Sequence, residues 1–361
     1  MFINSELSGI SVEPFRGDLE ALERMAHHSW REEYGLSSFP NLYRPEFVRY
    51  LQRIAGDPRH FLAAYKDGEI LAFLANIPRH FNYQGKIYRA ILSCLLVSRR
   101  EYARKGLASA VIREAVRINQ EITHYDFALL YLESGHASTR LIERFREEGQ
   151  PLQFIKKMYV LGRVLHLEPV AYSEGLRRWE KALIKLWGAD RLPRPMDDHQ
   201  LEVEELKPED FNEVMSLLNS YTGRVELARV WQSVEELEKE LVYPDVSVTL
   251  AVKKGGRLAA VLNYLIHDHI GKKVERWAWL NHLHLENLTA EEKIWLINYL
   301  MRYLGERDLV GVIEWTKGYY PQNFLIRSRF FPYPRSVALH SWVFNPELKF
   351  KKMKRIYEVQ I

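Results

Sequence analysis

At 361 residues the chain exceeds one ordinary hydrophobic core, so two domains are expected; 47% hydrophobic and 27% charged residues exclude a disordered or fibrous protein. The single cysteine, Cys94, excludes an intramolecular disulfide and fits a reducing compartment. A net charge of +4, from 51 basic and 47 acidic side chains, favours anionic ligands but is too small a surplus for a nucleic-acid partner.

The amino-terminal stretch MFINSELSGISVE lacks a basic region followed by an apolar segment, and the predicted location is cytoplasmic, with no membrane partner. Residues 10–16 alternate as a first strand, and Asp18 then caps a helix reaching Tyr34. A second helix follows Pro45. Residues 61–78 place two apolar runs around Lys66-Asp67-Gly68, the pattern of a hairpin. From Ala90 to Val97 only Ser93 is polar, which predicts a buried strand. Gly106 then permits a tight turn into a helix ending near Glu121. The N–H groups from Arg104 to Ser109 precede or open that helix, lack partners in a preceding turn, and form a cradle for phosphate. A strand from Tyr125, a helix from Ser138 and closing strands from Phe154 follow. Residues 168–190 are predicted as one amphipathic helix with Leu176, Trp179, Leu183 and Leu186 on one face, ahead of a linker ending near Asp198.

The hairpin recurs at Val248–Ile266. Gly68 falls on Gly255, an offset of 187 residues, and the same offset pairs Ala64 with Ala251, Lys66 with Lys253, Leu71 with Leu258, Ala72 with Ala259 and Asn76 with Asn263. The flanking elements repeat in order, which predicts a duplication. The second copy has LENLTAEE in place of the glycine turn, with Glu291 and Glu292 at the helix entrance. Those carboxylates occupy the positive end of the helix dipole and repel an anion.

The stretch SRREYARKGLAS resembles the acyl-CoA pyrophosphate loop of the GNAT superfamily of N-acetyltransferases, whose six signature positions fall on Ala103-Arg104-Lys105-Gly106-Leu107-Ala108. The first departs from the family's Gln or Arg. The resemblance implies an α+β fold of two tandem GNAT-like domains, each a mixed, mostly antiparallel central sheet flanked by helices. Residues 1–165 form the acyl-CoA-binding domain, 166–199 a helical linker, and 200–361 a degenerate domain without the loop. The plan is similar to that of mycothiol synthases and N-myristoyltransferases. It implies acetyl-CoA or another acyl-CoA as co-substrate, held by Leu96, Val97 and Ser98 and by Ala103, Arg104, Lys105, Gly106, Leu107, Ala108 and Ser109.

Acyl transfer to an amine needs a base for the amine, stabilisation of the oxyanion and departure of the thiolate. Glu133 at a strand end is the candidate base, with Tyr131 on the same face; His136 titrates in a useful range. Where the family carries a tyrosine acid, this chain has Ile142. Tandem relatives that use a terminal carboxylate as base make Ile361 a further candidate. Cys94, inside an apolar run, reads as a small buried hydrophobe. His282, His284 and Glu286 share a face, with His267 or His269 nearby; these donors suit zinc or nickel, but a polar acceptor pocket is the preferred reading and no metal is predicted. The expected activity is N-acyl transfer to a primary amine of a small molecule or peptide, by a monomer or homodimer. The alternatives are a CoA-binding sensor or scaffold, and transfer from aminoacyl-tRNA, for which no concentrated basic groove is visible.

Overall fold

The computed structural model describes residues 7–35, 37–193 and 200–357. In chain order the first half folds as β1 (Ser11–Pro14), α1 (Leu19–Tyr34), β2 (Phe39–Pro40), α2 (Pro45–Ala55), β3 (Phe61–Lys66), β4 (Glu69–Tyr83), β5 (Lys86–Ser98), α3 (Leu107–Arg117), β6 (Phe127–Glu133), α4 (Ala137–Glu147) and β7 (Leu152–Val164). Two short helices, α5 (Leu167–Glu174) and α6 (Arg178–Trp187), lead to the second half. That half comprises β8 (Leu201–Glu205), α7 (Phe211–Asn219), β9 (Leu227–Val230), α8 (Val234–Leu241), β10 (Ser247–Lys254), β11 (Arg257–Ile270), β12 (Val274–His284), α9 (Ala290–Gly305), β13 (Gly311–Trp315), α10 (Asn323–Arg327), β14 (Phe331–Val343) and β15 (Ile356–Tyr357).

The 187-residue offset holds in three dimensions. Ala90 starts a parallel pairing with Phe127, and Trp277, 187 residues on, starts one with Gly311. All strands join one sheet, whose main path runs β1-β3-β4-β5-β6-β14-β7-β13-β12-β11-β10-β8. The two sequence units interlock there. β14, from the second unit, pairs with β6 of the first, whereas β7 of the first pairs with β13 of the second. The exchange has smaller counterparts: β2 pairs with β11, and β9 with β4. Each unit thus supplies the last strand of the other's sheet, and the central β14–β7 pairing joins them.

The helix predicted over residues 168–190 is instead α5 and α6, separated at Gly175, whose φ of +69° caps α5 in the left-handed conformation that glycine tolerates. Of the four residues predicted to share an apolar face, Leu176 falls between the two helices and packs on the core, while Trp179, Leu183 and Leu186 are 57%, 55% and 85% exposed.

Burial holds several histidines neutral. Desolvation pushes His267 down to about 3, and His284 and His340 down to about 4. Unfolded, each takes up a proton near pH 6.5. The folded state therefore binds fewer protons, so their contribution to stability is complete above pH 6.5 and is lost as the pH falls toward 4. His284 alone accounts for roughly 3 kcal/mol across that window. Thermal melts should show the decline beginning above the carboxylate range; a melting temperature that stays flat from pH 7 to 5 contradicts this account.

Candidate active site

The polar turn after β5 builds the first wall. Gly106 is the N-cap of α3 at φ +94°, a conformation that admits glycine readily, and no side chain caps the helix. The first-turn N–H groups have no intrahelical acceptor, and the first turn itself carries no acidic residue. This helix entrance is open.

The second wall comes from a fault in β5. Leu95 adopts φ +56° inside the strand, and the register against β4 slips by one residue between Phe73 and Ala75. A left-handed leucine costs on the order of 1 kcal/mol, a strain that recurs at functional sites. Parallel pairing of β5 with β6 ends at Ser93–Leu130, while β6 continues beside β14 to Glu133. Beyond Ser93 the two strands splay.

Loop and splay open into one cleft of about 970 Å³. Leu96, Val97, Ser98, Ala103, Arg104, Gly106, Leu107, Ala108 and Ser109 all line it, as do Tyr131 and Glu133. Lys105 does not: its N–H donates to the Tyr102 carbonyl at 3.2 Å and its ammonium lies 5.8 Å from the centre of the Tyr102 ring. The loop end carries Arg100, Arg104, Arg140 and Arg144. Arg104 and Arg140 make no ion pair among the described residues, which leaves positive charge facing the open helix terminus. The inner end is aromatic, with Trp30 and Tyr43 opposite Trp277, Trp279 and Trp315 of the second unit. Cys94 also lines the cleft, and desolvation pushes its thiol up to about 12, which keeps it protonated.

Glu133 is not alone at the strand end. The Tyr34 hydroxyl donates to it at 3.0 Å, His136 Nε2 lies 3.3 Å away and Arg335 Nε 3.6 Å away. The other His136 nitrogen faces Glu33 at 3.5 Å. Burial first, then the Glu133 charge, raises the Tyr34 hydroxyl far above its ordinary value, so it remains a hydrogen-bond donor and a poor acid. Tyr34 and Arg335 escape a reading by sequence spacing because they arrive from α1 and β14, far away along the chain. Nothing local flags Tyr34. The Tyr-Pro-Arg interruption of a strand-forming run at Tyr333 is the available signal for Arg335.

The histidines of the second unit are dispersed. His269 lines the cleft and accepts from Trp279 Nε1 at 3.0 Å. His282 faces away, with Nδ1 2.9 Å from the Tyr357 hydroxyl and Nε2 3.4 Å from Glu240. Among the described residues no three His, Cys, Asp or Glu side chains gather as a metal site. Ile142 is buried in the cleft wall, and Ile361 lies outside the described residues.

The equivalent place in the second unit is closed. Parallel pairing of β12 with β13 ends at Trp279–Ile313. Lys317, just past β13, then donates to the carbonyls of Leu280 and Asn281 at 3.1 and 2.9 Å and pairs with Glu314 at 3.1 Å. The Tyr319 hydroxyl accepts from the Leu283 N–H at 2.9 Å. Leu280, Asn281 and Leu283 stand 187 residues beyond Ser93, Cys94 and Leu96. The helix entrance is closed as well: Thr289 Oγ1 accepts from the Glu292 N–H, the Glu292 carboxylate accepts from the Thr289 N–H at 2.8 Å, and Lys254 neutralises that carboxylate at 2.6 Å.

Residues 22–146 match the model of the acetyltransferase (GNAT) family. Among solved structures, the chain is similar to N-myristoyltransferase of Saccharomyces cerevisiae with bound myristoyl-CoA, at 17% identity and a TM-score of 0.77, over 98% of this chain and 90% of that one. Another structure of that enzyme with myristoyl-CoA gives 16% identity and a TM-score of 0.75, over 93% and 78%. A GCN5-related N-acetyltransferase from Anabaena variabilis matches at 10% identity and a TM-score of 0.52, over 93% and 73%. No curated protein matches the sequence. At these identities the likeness establishes the fold.

Proposed function

We infer that this tandem GNAT-fold chain is an N-acyltransferase, which moves an acyl group from acyl-CoA to a primary amine. The observation that carries the reading is the asymmetry between two equivalent places. In the first unit an uncapped helix entrance and a splayed strand pair open into one cleft; in the second, Lys317, Tyr319 and the Thr289–Glu292 pair occupy the same positions.

In this reading the N–H groups from Gly106 to Ser109 hold the pyrophosphate, with Arg104 and Arg140 adding positive charge. The unpaired edge of Leu96–Ser98 holds the pantetheine arm, and the acyl group points toward the aromatic inner end. The aromatic lining of that end suits an apolar acyl chain, in line with the myristoyl-CoA bound by the Saccharomyces cerevisiae neighbour. The second unit supplies the far wall and, through Arg335, one partner of Glu133. Glu133 takes the amine proton, and Tyr34, His136 and Arg335 position its carboxylate. Tyr131 packs on Trp315 at 4.9 Å and shapes the wall.

A panel of amines offered with acetyl-, octanoyl- and myristoyl-CoA, read by release of free thiol, tests this. Turnover should require an amine and fall about 10²–10⁴-fold in Glu133→Gln. A second reading, CoA binding without turnover, is favoured by Ile142, which stands where the family's tyrosine acid is expected. No thiol release with any amine, together with tight CoA binding, selects that second reading.

A further inference from the structure

We propose that α6 and the guanidinium-lined recess beside it form a docking surface for membranes of anionic phospholipid. Trp179, Leu183 and Leu186 are each more than half exposed, and Trp187 adds a further open aromatic at the helix end. No side chain of the helix is fully buried, and Ile184 on its other side packs against the core. Arg178, Lys181 and Lys185 interleave with this apolar set. Lys181 pairs with Glu168 at 2.7 Å, and Glu168 lies 3.9 Å from Lys185.

At the end of α6 lies a recess of about 460 Å³, lined by Arg163, Lys185, Arg191, Arg327 and Arg329 and by no carboxylate. None of the four arginines makes an ion pair among the described residues. Arg163 is 2% exposed; its terminal nitrogens donate to the carbonyls of Ser328 and Arg191, and its Nε has no partner. Burial first, then the neighbouring Arg329, pushes it down to about 10. A buried cation with only a like charge beside it is stabilised by an anion from outside.

The two features touch, since Leu186 also lines the recess. A soluble phosphate would fill the recess and leave Trp179, Leu183 and Leu186 in water. A second copy of the chain would set the same positive charge against itself. An anionic bilayer supplies both requirements, with phosphates for the guanidiniums and an acyl boundary for tryptophan and leucine. Among the described residues no helix is long and apolar enough to cross a membrane, so the association is interfacial. This departs from the expectation of no membrane partner drawn from the sequence.

Co-sedimentation of the full chain with vesicles of phosphatidylcholine mixed with phosphatidylserine, against phosphatidylcholine alone, tests the proposal. Binding is expected only to the mixed vesicles and should be released by salt. Arg191→Gln with Arg327→Gln should weaken it roughly 30-fold, and Leu183→Ser with Leu186→Ser should abolish it. All four positions are changed without filling or emptying the core, and unchanged melting temperatures verify folding. Equal binding to both vesicles, no binding to either, or full binding by either double variant overturns the proposal. So does thermal stabilisation by inorganic phosphate without vesicle binding, which would make the recess a site for soluble anions.

Discussion

Glu240→Ala is expected to destabilise the fold by about 3–5 kcal/mol. Glu240 on α8 is fully buried, and its carboxylate lies 3.0 Å from Arg229, 3.9 Å from Arg79, and accepts from Trp231 Nε1 at 3.2 Å. Arg79 belongs to β4 of the first unit and Arg229 to β9 of the second, so one carboxylate neutralises cations from both. His282 of β12 completes the cluster at 3.4 Å. Burial opposes ionisation of Glu240, but the two guanidiniums and His282 outweigh it and hold the carboxyl far below its ordinary value. Alanine removes the shared anion while both guanidiniums stay out of water, a larger loss than the small worth of surface pairs. Glu240→Gln keeps the shape and removes the charge, so it should lose nearly as much. Chemical unfolding measures this, and a loss below about 1 kcal/mol for both variants refutes the cluster as the tie between the units.

The parts of the molecule legible in the sequence are those encoded locally. The turn at Gly106, the hairpin at Gly68 and its copy at Gly255, and the apolar strand from Ala90 each declare themselves within about twenty residues through turn chemistry or alternation. The strand exchange does not. β7 pairs with β13 and β14 with β6, partners more than a hundred residues away along the chain that no local pattern names. The closure of the second unit was likewise only half legible. Glu291 and Glu292 announced an entrance hostile to anions, but Lys317 reads as an ordinary polar residue in a loop until its position against the Leu280 and Asn281 carbonyls is known. A lysine set among Trp315, Tyr319 and Tyr320 was the available hint.

The α6 region shows a different limit. Helical spacing puts Trp179, Leu183 and Leu186 on one face of α6 but does not show that the helix breaks before Leu176, nor what covers a face. For Glu133, sequence placed the carboxylate on the cleft while its role depends on Tyr34, His136 and Arg335, which come from α1, the start of α4 and β14. Those neighbours set the carboxylate within a charged and hydrogen-bonded cluster that positions it.

The second large effect concerns the cofactor cradle. Gly106 holds φ +94°, and among the described residues only the Leu7 side chain, 4.0 Å away, comes near the position of a Cβ. A tryptophan there both strains the turn and sets a ring over the N–H groups of the first helical turn. Loss of several charge-assisted hydrogen bonds to a pyrophosphate, each worth about 1.5–3 kcal/mol, predicts at least a hundredfold fall in CoA affinity. The helix itself begins after Gly106, so its packing through Leu107, Val111 and Ala115 is retained.

Calorimetric titration of CoA into the intact chain and into Gly106→Trp is the most direct test of the asymmetry between the units. One CoA per chain, with binding lost in the variant, is the predicted result. Two equivalents per chain, or binding that survives Gly106→Trp unchanged, would contradict it.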